Sequence, residues 1–260
     1  MTGRDTGIRS SLRAALETAG VRGEILTPEG PDGLLHSMEE AASSGRRYIA
    51  AAGGDRLVGR VVDALMRQDW TERPVLGLLP GESGCSFARV FGIPDQLPGA
   101  VTHLQGTAVY RVDVGSVSGP WGDRYFLNML RAGIGTGESS RRASLLEVKT
   151  DRRTYRLVAT DVVVANGQFG PGGLKPAPRA SVADGLLDVQ IWNVRRRARA
   201  RFEQSVARGL HLTDRRVRRT TSATVLLTRY PPWRVEADGE LCGETPVSVS
   251  LSPQALDVKI

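Results

Sequence analysis

Apolar residues in the first hundred positions follow two rhythms. Positions 48–52 and 75–79 are short, unbroken apolar runs bounded by glycine and proline, the pattern of parallel strands buried on both faces. Between them Leu57, Val58, Val61, Val62, Leu65 and Met66 recur at three- and four-residue spacing, which predicts a helix with one apolar face. Each run ends in a glycine turn, Gly53-Gly54-Asp55 and then Pro80-Gly81-Glu82-Ser83-Gly84, with a further helix start after the second. In open parallel sheets such turns lie at the carboxyl ends of the strands, where ligands bind. Upstream, residues 1–7 read as frayed. Ile8, Leu12, Ala15, Leu16 and Ala19 mark a helix closed by Gly20, 23–27 a short strand, and 34–43 a second helix. The alternation predicts an α/β domain over residues 1–100, ending at Gln96-Leu97-Pro98-Gly99.

From Val101 the rhythm changes. Residues 107–114, 124–130, 156–165, 187–192, 223–228, 233–237 and 246–251 read as strands, separated by turns such as Ser118-Gly119-Pro120 and Ala237-Asp238-Gly239. Only 198–209 reads as a helix, with one basic side. Closely spaced strands predict an all-β, sandwich-like second domain over residues 101–260.

Composition narrows the class. With 260 residues, 40% apolar and 24% charged, the chain can bury a core for one large domain or two modest ones. No apolar run approaches the roughly 18 residues of a membrane span, and the start has no apolar signal core; the expected location is cytoplasmic. Cys85 and Cys242, far apart, suit neither a disulfide framework nor zinc. Cys85, in a glycine turn opening a helix, is either a small residue filling that turn or an activated thiol. His36, His103 and His211 form no triad or ligand set, and Trp70, Trp121, Trp192 and Trp233 no common spacing.

Charge adds a partner question. The net charge is +7, much of it in Arg195, Arg196, Arg197, Arg199 and Arg201, and in Arg215, Arg216, Arg218 and Arg219. A solvated basic face is the first reading, and peripheral contact with an anionic membrane the second. No aromatic residues interleave the arginines as a single-strand stacking platform requires, so nucleic acid comes last. A homodimer stays open.

The two glycine turns resemble those of the diacylglycerol-kinase and sphingosine-kinase superfamily of lipid kinases. That family carries Gly-Gly-Asp-Gly-Thr at the first turn and Pro-x-Gly-Thr-x-Asn-Asp-Phe-Ala-Arg at the second. Here they read Gly53-Gly54-Asp55-Arg56-Leu57 and Pro80-Gly81-Glu82-Ser83-Gly84-Cys85-Ser86-Phe87-Ala88-Arg89. Phe126-Leu127-Asn128, Ala132-Gly133-Ile134-Gly135, Val164-Ala165-Asn166-Gly167 and Pro176-Ala177-Pro178 follow in family order. Asp184-Gly185-Leu186-Leu187-Asp188, Asp238-Gly239-Glu240 and Glu244-Thr245-Pro246 complete it. The resemblance implies a Rossmann-like α/β domain, a β-sandwich-like domain and an active-site cleft between them. The family's first strand and its Asn-Pro-x-Ser-Gly loop are expected to be missing, with residues 2–7 at most a remnant.

The resemblance also implies roles. The activity would be ATP-dependent phosphotransfer to a lipid or small-molecule hydroxyl, with Mg2+. Gly53, Gly54, Asp55, Arg56, Glu82, Ser83 and Gly84 would lie beside the nucleotide, where glycines let backbone N–H groups reach phosphate. Glu240 would be the general base, since a carboxylate can take an alcohol's proton. Asp184, with the backbone of Ser181 and Leu186, would hold a structural magnesium. On residues alone, Asp184-Gly185 and Asp238-Gly239 are equally simple turn dipeptides.

Several positions depart from the family pattern. Arg56 replaces a glycine, Leu57 a threonine and Glu82 a glycine, while Cys85-Ser86 stands for Asn-Asp and Gly137 for an aspartate before Glu138. Arg56 either aims at a phosphate or fills its space, and Glu82 sets a carboxylate where polyphosphate would come. These changes keep a second reading open. In it the fold has lost ATP use, and performs non-kinase acid–base chemistry or binds a lipid or metabolite without turnover.

Overall fold

The structure, a computed structural model, describes residues 3–81, 84–136 and 143–260. They form two compact units, Met1–Arg111 with Leu256–Ile260, and Val112–Ala255.

In the first unit the chain is helical from Gly3 rather than frayed, in α1 (Gly3–Thr18), and α2 follows (Gly30–Ser43). The strand expected at 23–27 is absent: the segment has no regular structure, and Leu26 is half exposed. Two apolar residues with no sheet edge to bury them do not hold a strand. The next elements follow the apolar pattern. β1 (Tyr48–Gly53) and β2 (Val75–Pro80) pair in parallel, in register from Tyr48 opposite Val75 to Gly53 opposite Pro80. Between them α3 (Asp55–Met66) packs on β1 and buries Val58, Val61, Val62 and Leu65. Each such side chain contributes about 1.5–3 kcal/mol when removed from water. After the second turn, where a helix start is expected, the chain forms a 3-10 turn (Ala88–Phe91).

The domain boundary lies elsewhere than the composition suggested. Residues 97–101 form a short helix, α4 (Leu97–Val101), whose Ala100 and Val101 are fully buried. The unit continues to Arg111 and takes back the carboxyl terminus. Asp257 and Val258 pair with Val75 and Leu76 of β2, Leu256 and Val258 are fully buried, and Arg73 and Arg111 each reach the Asp257 carboxylate at 3.5 Å.

The second unit is a β-sandwich. Its strands are β3 (Val109–Gly119), β4 (Gly122–Phe126), β5 (Met129–Gly133), β6 (Ser144–Thr150), β7 (Thr154–Ala159), β8 (Asp161–Ala165) and β9 (Leu187–Trp192). A helix, α5 (Arg196–Ala207), precedes β10 (Val217–Ser222), β11 (Thr224–Arg229), β12 (Arg234–Ala237), β13 (Glu240–Glu244) and β14 (Val247–Lys259). One antiparallel sheet runs β10-β9-β8-β5-β12-β13; the other sets β14, β11, β6 and β7 side by side, with β3 joined to β14 and β4 to β3. Phe126, Leu130, Val148, Val164, Val189, Leu227 and Trp233 meet between the sheets.

β8 and β9 are buried along their whole length, and their period of two explains it. Val162, Val164, Leu187, Val189 and Ile191 face the sandwich core, whereas Val163, Ala165 and Trp192 pack with Phe202 and Val206 of α5. The stretches 124–130 and 156–165, expected as single strands, are each two strands in different sheets, broken at 127–128 and at Thr160.

Candidate active site

The two glycine turns of the first unit lie backbone against backbone. Gly81 N–H donates to Gly53 O at 3.2 Å, and a Cβ on Gly81 would stand 3.1 Å from Gly53 Cα, so a side chain there would push the turns apart. Gly54 is extended and precedes α3 without a side-chain cap, leaving the helix's first amides to the backbone or a ligand. Asp55 opens the helix, and its carboxylate accepts the Ser86 backbone N–H at 2.5 Å and the Ser86 hydroxyl at 2.6 Å. Asp55 therefore staples one turn to the other. Gly84 closes the second turn with φ +72° and donates to Gly81 O at 2.8 Å. Glu82 and Ser83 lie outside the described residues.

The departures from the family pattern acquire a geometry here. Leu57 lays its side chain over the first turn: its Cδ2 is 2.5 Å from the point a Cβ on Gly53 would take. Arg56 is exposed beside it. A phosphate would find backbone and a guanidinium at this turn, but an isobutyl group in place of a hydroxyl. Cys85 is 1% exposed, so the activated-thiol reading gives way to that of a small residue filling the turn.

In the second unit β12 and β13 form a hairpin around Asp238-Gly239. Both turn residues have positive φ, +47° and +82°, as a two-residue type I′ turn requires. The Asp238 side chain is 7% exposed. It accepts the backbone N–H groups of Leu127 (2.7 Å), Asn128 (3.0 Å) and Met129 (2.9 Å), just where the chain passes from β4 to β5. This nest locks the hairpin tip and fixes the next residue, Glu240, at the first position of β13. Glu240 Oε2 accepts from Arg124 Nη2 at 2.8 Å; both side chains are about one-fifth exposed. Cys242, two residues on, is pushed up to about 11 by burial, so it stays a thiol beside this pair.

Residues 181–186 form a loop held by Asp113, which is fully buried and which sequence reasoning missed. Its carboxylate accepts the Gly185 and Gln254 N–H groups, both at 2.8 Å, while its own N–H donates to Val182 O at 2.7 Å. Asp184 is exposed and accepts the Leu186 N–H at 3.1 Å through one oxygen. The exposed Asp184 carboxylate and the carbonyls of Ser181 and Leu186 are hard oxygen donors of the kind Mg2+ takes with several waters. The donor set fits a hydrated magnesium, although Asp113 already shapes the loop. Among the described residues no group of three or more His, Cys, Asp or Glu forms a metal cluster.

The arginine clusters separate into two kinds. Arg199 pairs with Asp161 and Glu203, Arg216 with Asp214, and Arg219 with Asp188. Arg195, Arg196, Arg197, Arg201, Arg215 and Arg218 are exposed. Asp214 is held down at about 2, chiefly by its hydrogen bond to Arg216. Beneath α5 lies a buried polar network. His211 Nε2 contacts Pro176 O (2.9 Å) and Gln190 Oε1 (3.0 Å), Gln190 donates to Asp188, and Trp192 donates to Gln190. Burial lowers the pKa of His211, and its Nδ1 has no partner among the described residues. Two acceptors at Nε2 assign the proton to that nitrogen.

Paired glycine turns at the ends of parallel strands, and a β-sandwich bearing a glutamate fixed at a hairpin tip, define a protein of the lipid-kinase type. Residues 2–117 match the diacylglycerol kinase catalytic domain, and residues 139–260 match the YegS C-terminal NAD kinase beta sandwich-like domain. In both halves the chain is thus similar to lipid kinases of the diacylglycerol kinase and YegS type.

The chain is 28% identical to the diacylglycerol kinase of Bacillus subtilis strain 168, over 81% of this chain and 77% of that one. It is 29% identical to a protein of Chromohalobacter salexigens named probable lipid kinase YegS-like, over 64% of this chain; the match spans 60% of that relative's length. A solved diacylglycerol kinase structure from Bacillus anthracis strain Sterne superposes with a TM-score of 0.78 at 23% identity, covering 94% of this chain and 87% of the other, and bears on the fold. Among the described residues no helix is long and apolar enough to cross a membrane.

Proposed function

We propose that the chain transfers the γ-phosphoryl group of ATP to a hydroxyl of a lipid or small molecule, with Glu240 as general base. The observation that carries this reading is the hairpin tip. Asp238, sunk in three backbone amides, holds Glu240 at one place in the sandwich, and Arg124 orients its carboxylate. In the reaction the acceptor hydroxyl loses its proton to Glu240 as its oxygen bonds to the γ-phosphorus. The bond from that phosphorus to the β,γ-bridging oxygen breaks, and ADP leaves. The first unit supplies the Gly54 backbone N–H and the uncapped first amides of α3 toward phosphate, with the Arg56 guanidinium, at a position where the family has glycine, as a further donor. Bound magnesium would offset phosphate charge, and Asp184 with the carbonyls of Ser181 and Leu186 is the donor set for a structural ion.

One observation favours the second reading. Leu57 covers Gly53 with apolar surface where a phosphate contact would lie, which suits a fold that no longer uses nucleotide. Labelled ATP, magnesium and a panel of lipid alcohols decide between the two. The first reading expects transfer that falls at least about a hundredfold in Glu240→Gln. No transfer by the wild type to any alcohol of the panel, or equal transfer by the variant, counts against it.

A further inference from the structure

Packing accounts for only one of the four arginines on α5, Arg199. At roughly 100° per residue, Arg199, Phe202 and Val206 share one side of the helix. Phe202 and Val206 are buried against Trp192, and Arg199 pairs with Asp161 and with Glu203, the helix's sole acid. Arg197, Arg201 and Arg208 stand four and seven residues apart and fall within about 40° of one another on the opposite side. All three are exposed, and none has a side-chain hydrogen bond or ion pair among the described residues.

Helix stability does not explain this order. Arg196 and Arg197 sit in the first turn, which holds no acid and where positive charge opposes the helix dipole. Just past the helix the chain turns at Gly209 and leaves Leu210 63% exposed. A row of unpaired guanidinium groups about 16 Å long therefore ends beside an outward apolar side chain.

We propose that this face of α5 docks on an anionic lipid surface. Guanidinium groups hydrogen-bond phosphate oxygens two at a time, and their stems lie along apolar surface while the charge stays at headgroup level. A helix with one basic side and a neighbouring leucine fits the interface plane, the leucine entering the boundary of the acyl chains. Single-stranded nucleic acid would need exposed aromatic side chains for base stacking, and the one aromatic residue of α5, Phe202, is buried. The docking needs no nucleotide and no turnover, so it stands or falls separately from the proposed reaction.

The test is flotation of the full chain, without ATP, with vesicles of phosphatidylcholine alone and of phosphatidylcholine mixed with phosphatidylglycerol. Wild type is expected to float with the mixed vesicles, and salt to weaken the binding. Arg197→Gln with Arg201→Gln and Arg208→Gln should lower binding at least roughly tenfold. Arg13→Gln with Arg22→Gln and Arg152→Gln removes the same charge from exposed positions elsewhere and should change it little. Leu210→Ser should weaken binding without altering its salt dependence. Equal melting temperatures would show that the variants fold.

Three outcomes overturn the proposal: wild type floating no better with the mixed vesicles, equal loss in both triple variants, or tighter binding to an oligonucleotide that the α5 variant alone loses.

Discussion

The glycine turns of the first unit and the hairpin of the second are both short bends on which the proposed reaction depends, and they are built differently. The hairpin is held from outside itself: Asp238 reaches the amides of Leu127, Asn128 and Met129, about 110 positions away in sequence. The glycine turns are held by each other, through backbone contact and the Asp55–Ser86 staple. A bend anchored by a buried carboxylate tolerates little change. A bend made of backbone keeps its path while the side chains around it are exchanged, as Arg56 and Leu57 have been.

The largest effect that would break this contrast is Asp238→Ala. It strands three buried amides, each costing about 1–3 kcal/mol, so urea denaturation should show a loss of several kcal/mol. A loss near zero would mean that the nest does not anchor the hairpin. Asp55→Ala removes two hydrogen bonds to Ser86, one of them to backbone, and should cost about 1–3 kcal/mol. A cost as large as that of Asp238→Ala would erase the difference between the two regions.

Leu57→Thr with Arg56→Gly sharpens the contrast from the other side. Stability should move by no more than about 1–2 kcal/mol, since both positions are exposed, while nucleotide affinity rises. Unchanged affinity would show that Leu57 does not govern the turn.

The smallest effect is one of pH. Burial lowers the pKa of His211, so the folded state favours the neutral ring. Its contribution is complete above the ordinary value of 6.5 and is lost as pH falls below it. Asp214, held at about 2, loses its contribution only as pH falls from 3.8 toward 2, outside that window. His103 shifts in the same direction as His211, again chiefly through burial. Denaturation of His211→Gln at pH 7 and pH 5 should therefore show a shallower, not abolished, fall. An identical fall in the variant would contradict this assignment.

The elements legible in the sequence are those whose determinants are local. The run 75–79, the spaced apolar face of α3 and the glycines between them carry their structure in adjacent residues. The missed features depend on distant partners. Nothing near position 100 announces that Leu256 and Val258 return to β2, and nothing near 127 announces that a carboxylate at 238 will break a strand there. For the candidate site, Glu240 was legible through motif order alone. Its partner Arg124, 116 positions earlier, and the buried Asp113 behind the 181–186 loop carry no local signal. The strand at 187–192 was legible, but the polar side of β9, with Asp188 and Gln190, became intelligible only once His211 lay against it.

Whether the exchanged side chains still admit a nucleotide is decided most directly by melting the wild-type chain against rising magnesium-ATP. A ligand that binds only the folded chain raises the transition in proportion to the logarithm of its saturation. The account predicts a saturable upward shift, larger in the Arg56→Gly, Leu57→Thr variant. A transition that stays in place in both proteins at millimolar ATP would contradict it.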